Sequence, residues 1–168
     1  MKYNFEQERC DYLTPQNIIN KVLEHLDIEK FSVDVCCSYK NIPAEKHFID
    51  GKTDGLIENW SNEGWNWCNP PYKTCKDWVK KASQEALKGC ASVLFIPART
   101  ETDYFHRFIL NKSNVEIEFL RKGTKFIHPE TGEEMGVYKN ALCLVYFKGV
   151  RRMNEDVKSA VSYMIMGG

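Results

Sequence analysis

Apolar residues along this chain recur in two rhythms that trade places from one end to the other. Residues 1–13 have no clear period, but after Thr14-Pro15 the positions Ile18, Ile19, Val22, Leu23 and Leu26 return at helical spacing. Thr14 can cap that helix, and Pro15 suits its first turn. Phe31-Ser32-Val33-Asp34-Val35-Cys36-Cys37 then runs apolar and β-branched, which predicts a buried strand with Asp34 near its end. His47-Phe48-Ile49-Asp50 predicts a second short strand, again closing on an acid, and Gly51 to Gly55 reads as a turn containing Asp54. Between them, Asn41-Ile42-Pro43 is too short for a long crossover helix.

Trp65 to Cys68 predicts a third strand. Lys73 to Leu87, with Trp78, Val79, Ala82, Ala86 and Leu87, predicts a helix that Gly89 stops. Ala91-Ser92-Val93-Leu94-Phe95-Ile96-Pro97 is the most hydrophobic strand, and a helix bearing Tyr104, Phe105, Phe108, Ile109 and Leu110 follows it. Val115 to Leu120 alternates as a strand, Thr124 to Ile127 offers another, and Pro129 to Glu133 is a polar turn. Ala141 to Phe147 is a final buried strand, and Asn154 to Ile165, with Val157, Ala160, Val161, Met164 and Ile165 on one face, is a terminal helix. Helices alternating with buried strands, then strands at hairpin spacing, predict an α/β sheet, mostly parallel with an antiparallel edge towards the C-terminus. No repeat, linker or low-complexity tract divides the chain, and 168 residues suit one domain, with its core over about 14–147.

The stretch on which chemistry centres is Trp65-Asn66-Trp67-Cys68-Asn69-Pro70-Pro71-Tyr72, an apolar strand that ends in a stiff loop. Its prolines fix φ and lack an N–H, so the segment cannot extend a ladder. Asn69 supplies a side-chain acceptor beside the Pro70 carbonyl, and Tyr72 a flat ring one step beyond. Such a group suits a planar amine. The exocyclic amine of adenine is a poor nucleophile because its lone pair is delocalised, and two acceptors gripping its hydrogens favour the pyramidal nitrogen of a transition state. A proline turn after a core strand accounts for an isolated Asn-Pro-Pro-Tyr equally well, so context must decide.

Composition narrows the setting. Lys plus Arg and Asp plus Glu both number 23, so any attraction for nucleic acid is local rather than global. Lys73, Lys76, Lys80 and Lys81 form one basic run and Lys148, Arg151 and Arg152 another; each reads either as phosphate contacts or as a solvated face. Seven cysteines without a CxxC pair argue against a disulfide framework or a zinc site and for free thiols in a reducing cytoplasm. His25, His47, His106 and His128 have no metal-ligand spacing, so no metal is expected. The opening residues lack the apolar core of a signal peptide and no run reaches membrane-spanning length, so a cytoplasmic protein without a membrane partner is expected.

Ligands of open α/β sheets bind beyond the carboxyl ends of strands, and Asp34, Asp50 or Asp54, and Asn69 all fall at or just after such ends. The ordered set Thr14-Pro15, Asp34-Val35-Cys36-Cys37-Ser38, Asp54-Gly55-Leu56, Trp67 to Tyr72, Pro97-Ala98-Arg99-Thr100, Asp103-Tyr104-Phe105-His106 and Gly123-Thr124-Lys125-Phe126 resembles the phage-encoded Dam-like DNA N6-adenine methyltransferases. The likeness runs from about Thr14 to Phe147.

The resemblance implies a compact, partly abbreviated class I (Rossmann-like) methyltransferase sheet, S-adenosylmethionine as methyl donor, and a flipped adenine in DNA as acceptor, in a bacterial host cytoplasm. Asn69, Pro70, Pro71 and Tyr72 would form the catalytic loop. Thr14 and Pro15 would lie near the methionine end of the donor, Asp34 and Cys36 at its first strand, and Asp50 or Asp54 towards its adenosine. Lys73, Arg99, Thr100, Tyr104, Phe105 and His106 would face DNA, with Tyr72 or Phe105 stacking on the flipped base, although Arg99 can as readily pair with Asp34. Two departures stand out. Larger relatives carry a glycine-rich loop after the first strand, where this chain has Cys36-Cys37-Ser38, and no insertion is long enough for a target-recognition domain. Specificity would then be for a short site, or would need a dimer or a partner. The same loop chemistry serves RNA adenine or protein glutamine, and a catalytically silent DNA-binding module is a further alternative.

Overall fold

Three parallel strands lie side by side at the centre of the computed structural model, which describes residues 12–150. The elements run α1 (Gln16–Leu26), β1 (Phe31–Cys37), β2 (Ala44–Ile49), β3 (Trp65–Cys68), a single 3-10 turn (Tyr72–Thr74), α2 (Cys75–Leu87), β4 (Ala91–Pro97), α3 (Asp103–Phe108), β5 (Val115–Phe119), β6 (Lys125–Ile127), β7 (Glu134–Val137) and β8 (Leu142–Phe147). The expected helix over 154–165, Arg151, Arg152 and Cys10 lie outside the described residues.

The six-stranded sheet has the order β2-β1-β3-β4-β8-β5, and a separate two-stranded hairpin pairs β6 with β7. β2, β1, β3 and β4 pair parallel; β8 runs antiparallel to both β4 and β5. The mixed α/β sheet with an antiparallel side is the one the sequence pattern predicts. The final strand is nevertheless not the edge. β8 is buried at all six positions because it sits between β4 and β5, while the half-exposed β5 forms the border.

Strand alternation sends side chains to two cores. Leu94, Ile96, Cys143, Val145 and Phe147 meet α2 and α3 through Trp78, Val79, Ala82 and Phe105. Val93, Phe95, Leu144 and Tyr146 turn the other way, towards Ile18, Ile19 and Val22 of α1 and towards Phe126 and Tyr138 of the hairpin region. Both faces of β4 are therefore dry, which is why its sequence shows no alternation.

Two local features differ from the sequence reading. Thr14 does not cap α1: the cap position is Pro15, with no side-chain cap hydrogen bond, and Thr14 is buried beside the corner that follows β3. β7 was not anticipated, because Glu134-Met135-Gly136-Val137 carries little apolar signal and is mostly exposed. The link from β1 back to its parallel neighbour β2 spans only residues 38–43, where a helix would ordinarily be used, and buried Ile42 pins it down.

The β2–β3 connection is held by polar anchors. Glu85 of α2 is only 1 % exposed and accepts hydrogen bonds from Lys81 at 2.9 Å, Lys88 at 2.8 Å and the Trp60 N–H at 3.2 Å. Burial pushes its pKa up, but these donors outweigh burial and hold it below the usual carboxylate value. Lys81 is thus a buried structural cation, which removes it from the basic run offered to phosphates. Asn66, fully buried, donates to the Ser61 and Ala91 carbonyls at 2.8 and 2.9 Å and so clamps the start of β3.

Candidate functional site

With β1, β2, β3 and β4 parallel, Cys37, Ile49, Cys68 and Pro97 end on one rim of the sheet. The chain moves from β1 to β2 on one side and then to β3 on the other, so the strand order reverses across β1. A reversal of this kind opens a crevice beyond the strand ends. A cleft of about 500 Å³ lies there, lined by Cys36, Ser38, Phe48, Asp50, Asp54 and Trp78 among others, with Pro71 closing one side. That volume falls within the usual range for a small-molecule site, about 300–1,000 Å³.

The floor of the cleft is fixed by close packing. Gly55 presses onto β1 so tightly that an added Cβ would come 1.9 Å from the Val35 carbonyl oxygen. The indole N–H of buried Trp60 donates to the Gly55 carbonyl at 2.7 Å, and Asp54 Oδ1 accepts the Leu56 N–H at 2.8 Å. The Asp54-Gly55-Leu56 motif therefore needs its glycine for approach, and Asp54 for the turn. Asp50 and Asp54 remain exposed at the rim.

Beside the cleft lies a second, small polar pocket of about 20 Å³, lined by Tyr12, Thr14, Asp34, Tyr39 and Asn69, and sharing the wall Cys36-Cys37-Ser38 with the larger one. Asn69 leaves β3 here, and its Nδ2 donates to Thr14 Oγ1 at 3.3 Å. With the nitrogen so engaged, the amide oxygen is left to accept. The 3-10 turn begins with the Thr74 N–H on the Pro71 carbonyl at 3.1 Å, so the Pro70 carbonyl is not consumed by it. Asn69 and Pro70, consecutive in the chain, thus each keep an oxygen that these bonds do not use.

Asp34 is the buried charge of this pocket, at 2 % exposure. It lies in the middle of β1 rather than near its end. Desolvation raises its pKa from 3.8 to about 7, against the pull of hydrogen bonds from the Cys36 N–H at 3.4 Å and the Cys37 thiol. Burial and the neighbouring Asp34 carboxylate in turn push the Cys37 thiol up to about 12. No ion pair joins Asp34 to Arg99, which is exposed beyond β4 and acts electrostatically on Cys75 and Tyr104 instead.

The sequence-predicted residues therefore divide. Thr14, Asp34, Cys36 and Asn69 converge on the small pocket, and Cys36, Asp50, Asp54 and Pro71 on the cleft. Pro70 is buried, and Pro15 lines neither of them but a groove between the start of α1 and residues 118–125. Tyr72 is only 5 % exposed, its ring packed against Tyr138 at 6.1 Å, and Phe105 is fully buried, so neither ring is presented for stacking. Lys73, Arg99, Thr100 and His106 are exposed, Tyr104 is half-buried, and none of these lines either pocket. Tyr12 and Tyr39, which do line the small pocket, were not singled out from sequence; an aromatic in an aperiodic segment carries no signal of its own.

The sequence model described as DNA N-6-adenine-methyltransferase (Dam) matches residues 4–165. The chain belongs to this family. No curated protein matches the sequence. Membership in the Dam family makes the chain a methyltransferase at family level, with DNA as the family's substrate. Among the described residues no group of three or more His, Cys, Asp and Glu side chains could hold a metal ion, and no helix is long and apolar enough to cross a membrane.

Proposed function

We propose that this chain transfers a methyl group from S-adenosylmethionine to the exocyclic N6 amine of adenine in DNA. The observation that carries the reading is the convergence of Asn69, Asp34 and Thr14 on a pocket that shares its wall with a ligand-sized cleft. The cleft fits the donor by the chemistry of its lining: Phe48, Leu56 and Trp78 offer apolar walls to a purine, and Asp50 and Asp54 offer rim acceptors to hydroxyl groups. Asp34, buried and short of a cationic partner among the described residues, suits an ammonium group. When bound, the donor supplies a methyl group on a sulfonium sulfur.

The chain's own residues do the rest. Asn69 Oδ1 and the Pro70 carbonyl accept the two N–H groups of the amine and turn its lone pair out of conjugation, towards the shared wall. Thr14 holds Asn69 in the required rotamer through the 3.3 Å hydrogen bond. The small pocket is too small for a base, so the amine and its purine ring rest at the mouth, where Tyr39 is exposed and takes the stacking role that buried Tyr72 and Phe105 cannot. Extrusion of the base costs a few kcal/mol, least from unpaired or single-stranded DNA.

The experiment is methyl transfer from labelled donor to duplex DNA, single-stranded DNA, RNA and a glutamine-containing protein side by side. Incorporation at adenine N6 of DNA is the expected result. Donor binding with incorporation into protein or RNA alone would replace the acceptor, and donor binding with no product on any of them would reduce the chain to a binding module.

A further inference from the structure

Between β5 and β8 the chain leaves the main sheet, forms the β6–β7 hairpin and returns. Two hydrogen bonds bracket the departure: the Leu120 N–H to the Leu142 carbonyl at 2.9 Å, and the Tyr138 N–H to the Thr124 carbonyl at 2.8 Å. Between these bonds the outgoing and returning segments separate around an opening of about 240 Å³, with Gly123 at φ +130 in the outgoing one. Arg121 and Lys122 stand exposed on one side of it and Lys139 and Asn140 on the other.

The charges of this opening are unbalanced, in a chain whose net charge is zero. Neighbouring Lys21 and Lys125 are each neutralised, by Glu118 and by Glu134 at 3.0 Å. Arg121, Lys122 and Lys139 form no ion pair among the described residues. Glu130 and Glu133 belong to the hairpin's turn, and Glu134 is spent on Lys125. The apolar residues that line it, Leu120, Tyr138 and Leu142, are buried or half-buried, whereas its exposed side chains include Arg121, Lys122, Lys139 and Asn140, so its outer face suits a narrow polyanion better than an apolar protein partner.

Its position ties it to the corner after β3. Tyr138, the residue before Lys139, meets Tyr72 edge-on at 6.1 Å and Phe126 at 6.0 Å, and Phe126 stacks on Phe95 of β4 at 5.6 Å. The Leu13–Ile127 bridge joins the hairpin to the segment that carries Thr14. A backbone gripped at this opening is therefore held against the same rigid core that sets Asn69.

We propose that Arg121, Lys122 and Lys139 around the β5–β8 opening form the phosphate clamp that seats the nucleic-acid backbone next to the reacting base. Arg121 can take a phosphate bidentately, and the two lysines act as point charges across the opening. The clamp rests on the DNA reading of the site above. Such a clamp sets the register of the bound strand, since backbone contacts fix register without reading sequence.

The test uses the whole chain and a mixed-sequence DNA duplex, with binding followed by fluorescence anisotropy over a salt series. Arg121→Ala/Lys122→Ala/Lys139→Ala should lower the slope of log K against log salt by about 2 to 3 and weaken low-salt binding on the order of 100-fold. Calorimetry with S-adenosylmethionine should give wild-type donor affinity, which shows that the variant is folded; if the triple variant does not fold, Lys122→Glu replaces it with the same direction expected. Lys122→Arg/Lys139→Arg should restore binding. An unchanged salt slope in the variant, with wild-type DNA binding intact, overturns the clamp and leaves the methyltransferase reading standing. A wild-type chain that binds donor but neither binds nor methylates DNA overturns both.

Discussion

Replacing Asp34 with asparagine isolates the buried charge at the candidate site. Its folded-state pKa is raised from 3.8 to about 7 by desolvation, with hydrogen bonds from Cys36 and Cys37 only partly offsetting burial. Between those values the folded chain keeps a proton that the unfolded chain has released, so stability falls as pH rises across the window and levels off above it. At about 1.4 kcal/mol for each pH unit, the full penalty above pH 8 is about 4 kcal/mol, of which about 2 to 3 kcal/mol is lost between pH 5 and pH 8. Urea unfolding of wild type and Asp34→Asn at both pH values gives the comparison directly. The variant should lack this part of the pH dependence and be the more stable protein at pH 8, while binding S-adenosylmethionine more weakly. Donor affinity of the wild type should rise as pH passes 7, because an ammonium group selects the ionised carboxylate. Parallel stability profiles for the two proteins would refute the claim that the burial of Asp34 is only partly compensated.

Asn69→Ala should lower methyl transfer by about 3 to 4 kcal/mol of barrier, a few hundred-fold or more, with donor affinity retained; equal turnover would remove the amide from the mechanism. Gly55→Ala places a Cβ 1.9 Å from the Val35 carbonyl, so the loop must lift from β1. The expected cost is about 1 to 3 kcal/mol in thermal unfolding, with loss of donor affinity by calorimetry. Tyr72→Ala should cost about 3 to 5 kcal/mol of stability because the ring fills core space beside Tyr138, whereas Tyr72→Phe should be mild. Equal melting temperatures for Tyr72→Ala and wild type would show that the ring is not part of that core.

The amino-acid sequence by itself determined the elements and the chemistry they carry. Helical spacing after Pro15, mostly apolar runs at β1, β4 and β8, and the stiff Asn69-Pro70-Pro71 corner are local properties, set by periodicity and by proline's fixed φ. They suffice to predict an α/β sheet and to nominate Asn69, Asp34, Asp50 and Asp54. Only the tertiary structure decided which of the nominated groups meet. Thr14 reads as a helix cap, yet it serves Asn69 across 55 positions of sequence. Tyr72 and Phe105 read as rings available for stacking, yet both are consumed by the core, because burial depends on what the opposite element presents. Glu85 and Asn66 carry no motif and hold the loop and strand that shape the cleft. The placement of β8 between β4 and β5 and the opening beside Arg121 arise from strand order, which periodicity does not encode: a strand's own side chains fix its faces, whereas its neighbours are chosen by the whole sheet.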